Sequence, residues 1–478
     1  MNRVLVICSG LPPVNATGVH RTLALLRRLR ESGCEVMVLT MKGQVGRDLD
    51  PSLLAKMPAG LQVVATDNLD LPALLRGAID WAKSRRPLNE LEESPKQGTV
   101  PNGATVPGAA ATSRVRGLID WCSTWLQFPD NRIGWVMTAL RRGLGPARRF
   151  RPDVIYSSAP MWTAHLLGLV LHRLLGRPWV ADCRDPWRGN PYRRFRHAAH
   201  DRLDGLLERW MVQRARAVIC NTPPVERDFR RRYPSRADAF VTIANGFDGP
   251  EVAAVTAKPS LPRNGHCRFV HAGVFYGPRS PEPYFAAMAR LKRDDPELTS
   301  HLRLVQVGPV TYEKTRPLAD MAAAHGVGEL LELTGPLGHA QALRAVYEGD
   351  VAVAASQDGP NADLQVPRKF YEYYGLGKPI LVSGGSCATI QEIASEPKGV
   401  WLVPEPTTEA LAAAMRQILL AWRRGQLAGP PAGGVDLSED RMSNELERVL
   451  QRACRDGRTR RPPAKRWSFL QAFSRASI

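Results

Sequence analysis

At 478 residues the chain exceeds one ordinary core, so two domains of similar size are expected. An apolar share of 44% with 23% charged residues marks a soluble globular protein, and the best candidate for a membrane span, TAHLLGLVLHRLLG at 163–176, is broken by His165, His172 and Arg173. A formal charge of +19 points to an anionic partner, and the lack of any homeodomain, zinc-finger or RNP-like pattern ranks nucleic acid behind a nucleotide or an acidic membrane surface.

The chain opens on MNRVLVICSGLPP, whose apolar core is too short for a signal peptide and reads as a first strand over 3–9. GVHRTLALLRRLRESG (18–33) has helical apolar spacing and stops at Gly33; CEVMVLT (34–40) and LQVVAT (61–66) read as the next strands. Residues 84–114 lose periodicity and fill with Pro, Gly, Ser and Thr, the signature of an inserted loop or disordered segment. Order returns with a helix near 132–150, strand 153–158, helix 162–175, and strands at 178–183, 217–221 and 241–246. The eight cysteines form no C-x-x-C pair and no zinc spacing, which suits reduced, buried thiols in a cytoplasmic protein.

Residues 249–264, GPEVAAVTAKPSLPRN, read as an interdomain linker. A second alternation follows, with strands at 267–273, 302–308, 330–335, 350–356, 379–384 and 400–404. Helices near 281–293, 314–325, 339–348, 368–376, 388–395 and 407–424 separate them. Short, continuously apolar strands interleaved with helices mean buried parallel sheets. The expected fold is therefore α/β, with two doubly wound Rossmann-like domains facing one another so that the carboxyl ends of both sheets open onto a cleft.

Five further segments occur in order: LPPVNATGVHRT, PDNRIGW, DVIYSSAP, WVADCRDPW and GPLGHAQALRAVYEGDVAVA. With NGFD closing the first half and KFYEYYGLGKPIL in the second, the chain resembles the nucleotide-sugar glycosyltransferases of the GT-B fold, in the family 4 group (glycosyl transferases group 1). The resemblance covers nearly everything outside 84–114 and the tail. It implies an acceptor domain over 1–248, a linker over 249–264 and a nucleotide-sugar donor domain over 265–427. Residues 428–478 would hold a C-terminal helix returning to the first domain, followed by a basic, aromatic tail. It also implies transfer from a nucleoside-diphosphate sugar, as co-substrate rather than cofactor, to a hydroxyl acceptor with retention of configuration.

The resemblance assigns residues as follows. Glu372 matches the second acid of an E-x7-E pair, which accepts from the donor's ribose hydroxyls; a carboxylate suits a cis-diol because it only accepts. The first acid of that pair falls on Leu364, a departure that removes an expected contact to the donor sugar. Arg279, after the first strand of the second domain, and Lys369 would face the diphosphate and stabilise the charge of the departing group. Arg368 shares the start of that helix, where backbone N–H groups favour anions. In the first domain Gly18 would let the backbone approach phosphate at a helix N-terminus, although no full G-x-G-x-x-G is present. Arg21, one turn on, either serves phosphate or an acidic acceptor or is a solvated helix residue.

WVADCRDPW crowds Asp182, Arg184 and Asp185 at the end of an apolar strand. Relatives have histidine in this loop, and Asp185 stands in its place, either orienting the acceptor hydroxyl and stabilising charge at the anomeric carbon or pairing with Arg184 to shape the loop. Arg184 is taken as substrate-binding. His165 reads as a core histidine, Ser386 as part of a glycine turn lining the cleft, and Asp48-Leu49-Asp50 as a coincidental D-x-D, so no metal is expected. The tail's Trp467, Phe469, Leu470 and Phe473 among arginines fit either peripheral contact with an anionic membrane, useful for a lipid-linked acceptor, or packing on the first domain. The rival functions are a degenerate nucleotide-sugar or glycan binder, motivated by Leu364 and Asp185, and a sugar-nucleotide 2-epimerase.

Overall fold

The computed structural model describes residues 1–43, 49–75, 77, 121–190, 198–258, 265–277, 279–395, 398–431 and 434–459. The 84–114 insertion, Asp48, the last part of the expected linker and the aromatic tail lie outside the described residues.

The first domain is one parallel sheet: β1 (Arg3–Cys8), β2 (Glu35–Met41), β3 (Gln62–Thr66), β4 (Val154–Ala159), β5 (Trp179–Cys183), β6 (Ala217–Cys220) and β7 (Phe240–Thr242), in the order β3-β2-β1-β4-β5-β6-β7. Its strands are buried on both faces, which is why they read as unbroken apolar runs. Leu5, Ile7, Leu39 and Trp179 fill one side, and Val4, Val6, Val38 and Tyr156 the other. Helices α1 (Thr17–Glu31), α2 (Trp135–Phe150), α3 (Thr163–Leu175), α4 (Ala198–Arg214) and α5 (Pro223–Arg232) cover these faces. Helix α4 escapes a reading by periodicity because its exposed face carries Leu206 and Trp210 while Asp204 and Glu208 are buried, so its amphipathic pattern is inverted in places.

The second domain repeats the plan with β8 (Cys267–Ala272), β9 (Leu302–Val307), a small hairpin of β10 (Thr311–Tyr312) and β11 (Arg316–Pro317), then β12 (Leu331–Gly335), β13 (Val351–Ala355), β14 (Ile380–Ser383) and β15 (Val400–Val403). Its sheet runs β12-β9-β8-β13-β14-β15. Each sheet therefore reverses order once, between β1 and β4 and between β8 and β13, and the crevice at such a reversal is where ligands bind in open α/β sheets.

Two departures from the sequence reading concern the join. The expected strand 241–246 ends at Thr242, because the backbone beyond it leaves the sheet and serves side chains of the first domain. The expected linker begins as a helix, α6 (Gly249–Thr256), with Asp248 accepting from the Glu251 N–H at its N-cap, and Val252 and Val255 join the second domain's core. The chain then returns: α12, numbered after α7 (Glu282–Asp294), α8 (His339–Glu348), α9 (Arg368–Gly375), α10 (Cys387–Ala394) and α11 (Thr408–Arg423), spans Glu439–Thr459. It lays Met442, Leu446, Leu450 and Ala453 on the first sheet. The outgoing and returning strands touch, Phe247 N–H donating to Leu437 O at 3.0 Å and Glu439 N–H to Phe247 O at 2.8 Å. Gly246 permits this, since a Cβ there would lie 2.5 Å from the Ser438 carbonyl.

Candidate functional site

In the first domain the loop after β5 and the start of α1 close on each other. Helix α1 begins at Thr17 with no side-chain cap and no acid in its first turn, and the Val19 N–H already donates to the Ala16 carbonyl at 2.8 Å. The Arg184 guanidinium lies directly against Gly18, so any Cβ at position 18 would collide with it. Arg184 is fixed there by donating to Ser158 Oγ at 3.0 Å and to the Pro160 carbonyl at 3.0 Å. The glycine thus admits a side chain of its own domain rather than presenting bare backbone. Ser9, Thr17, Gly18, Ser158, Arg184 and Asp185 line a cavity of about 220 Å³ at this point.

Arg21 is neither solvated nor free. It is 2% exposed and forks onto Asp182, Nε–Oδ2 at 2.9 Å and Nη2–Oδ1 at 3.1 Å, while Nη1 donates to the Ala244 carbonyl at 3.1 Å. Tyr156 donates its hydroxyl to the same carboxylate. A bidentate Arg–carboxylate pair with its remaining donors satisfied is a structural tie, here joining α1, β5 and the segment leaving the domain. Asp182 is thereby withdrawn from the cleft. His165, 1% exposed, bonds Ser157 Oγ through Nδ1 at 2.8 Å and is a core residue.

Asp185 is the acid of this loop that does face the second domain. Gln365 donates to its Oδ1 at 2.9 Å. Burial pushes its carboxyl up, against the opposing pull of Arg184, the Gln365 donor and Arg279 from across the cleft.

In the second domain Lys369, in the first turn of α9, reaches back over the end of β8, its Nζ 2.9 Å from Nε2 of His271. Burial, then the nearby Arg279 guanidinium, draw the Lys369 ammonium down to about 7, with Glu372 opposing. Gly273 has φ +129°, and a Cβ there would stand 3.0 Å from the Lys369 amine, so this approach requires glycine. Arg279 sits above Tyr276, 5.2 Å from the ring centre, and its buried Nε has no hydrogen-bond partner among the described residues.

Glu372 is 8% exposed. Its Oε1 takes Arg368 Nε at 3.1 Å, an ion pair outside hydrogen-bond angles, and lies 3.7 Å from His339 Nε2. Arg368 also lies 4.0 Å from Glu439 of α12. This cation therefore faces the join between the domains, beside Glu372. Ser386 is fully buried at the start of α10.

Position 364 explains the missing acid. Leu364 is buried within the first domain's core cluster, and Thr222 donates its hydroxyl to the Leu364 carbonyl at 2.9 Å. His271, Gln306, Gln365 and Thr222 were not legible as site residues: each owes its place to partners far along the chain. A cavity of about 490 Å³ lies on the outer edge of the second sheet by Trp401 and Gln417 and holds none of these groups.

Comparison with known proteins agrees with this architecture. Residues 105–249 match the Glycosyltransferase Family 4 model and residues 267–420 the Glycosyl transferases group 1 model. No curated protein matches by sequence. Among solved structures, a glycosyltransferase from Rickettsia africae aligns at 12% identity over 95% of this chain and 98% of its own, with a TM-score of 0.57. Sucrose-phosphate synthase from Thermosynechococcus elongatus aligns at 14% identity over 99% and 100%, with a TM-score of 0.55. Anabaena HepE, solved in complex with UDP-glucose, aligns at 13% over 96% and 100%, with a TM-score of 0.53. At such identities the likeness speaks to the fold. With twin parallel sheets, a returning C-terminal helix and both halves matched, the chain belongs to the GT-B glycosyltransferases, family 4-like in its first domain and group 1 in its second.

Proposed function

We propose that this glycosyltransferase takes its sugar from a nucleoside-diphosphate donor and passes it to a hydroxyl acceptor with retention of configuration, in polysaccharide or glycoconjugate synthesis. The observation that carries the reading is the arrangement at the two sheet reversals. Lys369, Arg279 and Glu372 gather after β8 and β13, opposite Asp185 and the Arg184-lined cavity after β1 and β5. In this reading Lys369 and Arg279 take the charge of the departing nucleoside diphosphate, so the step needs neither a metal nor a cofactor. The Glu372 carboxylate accepts from the ribose. Asp185, whose carboxyl burial makes a better proton acceptor, attends the acceptor hydroxyl. The acceptor, a saccharide or a lipid-linked one, enters by the 220 Å³ cavity, where Arg184 and the α1 amides meet its polar groups. The solved Anabaena complex with UDP-glucose supports a nucleotide-sugar donor for this fold.

Among the described residues no helix is long and apolar enough to cross a membrane. Peripheral contact with an anionic inner membrane face stays part of the proposal, resting on the basic, aromatic sequence of 460–478.

Leu364 favours a second reading, a protein that binds nucleotide-sugar without turnover, because an apolar plug stands where the donor-sugar acid belongs. Release of nucleoside diphosphate from a panel of UDP- and GDP-sugars, with and without glycan acceptors, separates the two. Turnover lost in Asp185→Ala and Glu372→Ala proteins supports transfer; donor binding with no turnover under any acceptor contradicts it.

A further inference from the structure

Behind Lys369 stand two buried polar side chains to which the reaction above gives no task. His271 and Gln306 are each 1% exposed and occupy facing register positions on β8 and β9. His271 Nδ1 lies 2.7 Å from Gln306 Oε1. The Gln306 amide nitrogen donates to the carbonyls of Gly273 at 2.7 Å and Pro309 at 3.2 Å. With its nitrogen committed to two carbonyls, the amide can only turn its oxygen to the imidazole. Nδ1 therefore carries the ring proton, and Nε2 is left as an acceptor. That acceptor is what Lys369 Nζ meets at 2.9 Å. The ring is held flat on Phe275, centroids 3.9 Å apart at 21°.

We propose that His271 is a positioning residue for the donor site: fixed by Gln306 as the neutral Nδ1–H tautomer, it accepts one N–H of Lys369 and aims the ammonium's other two at the donor diphosphate. The inference rests on the nucleotide-sugar reading and adds to it the residue that orients its cation. An ammonium on a four-carbon stem has no preferred direction of its own. Without an acceptor behind it, Lys369 would swing toward Glu372, three residues along the same helix, and pair there. The charged and titratable groups facing Lys369 are His271 from β8, Arg279 from the following loop and Glu372 from α9. Burial, then Lys369 itself, holds the His271 imidazole well below its usual range, so the relay does not put two cations in contact.

The test measures dissociation constants for UDP and GDP by calorimetry in wild type, His271→Phe, Lys369→Ala and the double variant. Phenylalanine keeps a flat ring on Phe275 and removes the acceptor. His271→Phe is expected to weaken binding roughly tenfold, the scale of one charge-assisted hydrogen bond, and to have no effect once Lys369 is alanine. Equal losses in both backgrounds would mean a packing role, and unchanged binding would mean no role; either overturns the relay. Should His271→Phe not fold, nitrogen-15 shifts of the wild-type imidazole decide: a protonated Nδ1 with bare Nε2 upholds the relay, the opposite tautomer overturns it. Failure of wild type to bind either nucleotide sinks the donor reading itself, an outcome distinct from an indifferent His271→Phe.

Discussion

Leu364 leaves its own domain: its side chain is buried in the core of the first domain, and the Thr222 hydroxyl holds its carbonyl at 2.9 Å. One residue on, Gln365 donates to Asp185 at 2.9 Å. The loop before α9 is thus a clasp between the domains, and the departure from the family's acid pair is an apolar anchor. Leu364→Ala should cost roughly 2–4 kcal/mol. Leu364→Glu should cost more and loosen the clasp, because a carboxylate has no partner in that core. Thermal unfolding with small-angle scattering checks this; a Leu364→Glu protein as stable and compact as wild type contradicts it.

Glu372 carries two tasks that mutation can separate. Glu372→Ala leaves the partly buried Arg368 without its 3.1 Å partner and, in the proposed reading, removes the ribose acceptor. Lower stability and nucleotide affinity down by roughly tenfold or more are expected. Adding Arg368→Met should recover stability and leave binding impaired. Calorimetry beside thermal melts reads both, and a double variant that binds like wild type removes Glu372 from the site.

The Arg21–Asp182 pair, buried on both sides, predicts a purely structural phenotype. Arg21→Met leaves an unpaired carboxylate in the interior, beside Tyr156, and should cost roughly 3–5 kcal/mol in urea unfolding. An Arg21→Met, Asp182→Leu protein should regain much of this. A single variant of wild-type stability with weakened nucleotide binding would return Arg21 to the ligand.

The pH dependence of donor binding follows from Lys369. Burial and Arg279 bring its ammonium to about 7 in the free protein, and a diphosphate beside it favours the charged form and raises it again. Binding therefore takes up a proton above about 7 and none below it. Affinity for a nucleotide sugar, which has no phosphate ionisation of its own in this window, should be level below about pH 7 and fall above it, by at most about one decade per unit. Lys369→Arg, charged throughout, should flatten the curve. Calorimetry across that window checks the slope; a level wild-type curve contradicts the assignment.

Much of the fold was legible because buried parallel strands must be continuously apolar, and VLVIC, VMVLT and VAVAA can be little else. The helix in the expected linker was hidden by proline and alanine-rich composition, and α4 by acids buried on its inner face. Within the site, Lys369 and Glu372 share one motif and could be found together. Arg21 was legible as a cation but not as a paired one, because Asp182 is 161 residues away. The His271–Gln306 contact needs β8 and β9 side by side, which spacing along a chain does not reveal.

The central claim is that a nucleoside-diphosphate sugar lodges between the sheets against Lys369, Arg279 and Glu372. A crystal structure of the chain with the UDP- or GDP-sugar that most raises its melting temperature tests this directly. Diphosphate oxygens are expected on Lys369 Nζ and Arg279, with ribose hydroxyls on the Glu372 carboxylate. Nucleotide bound elsewhere, with no donor oxygen on Lys369, Arg279 or Glu372, would contradict it.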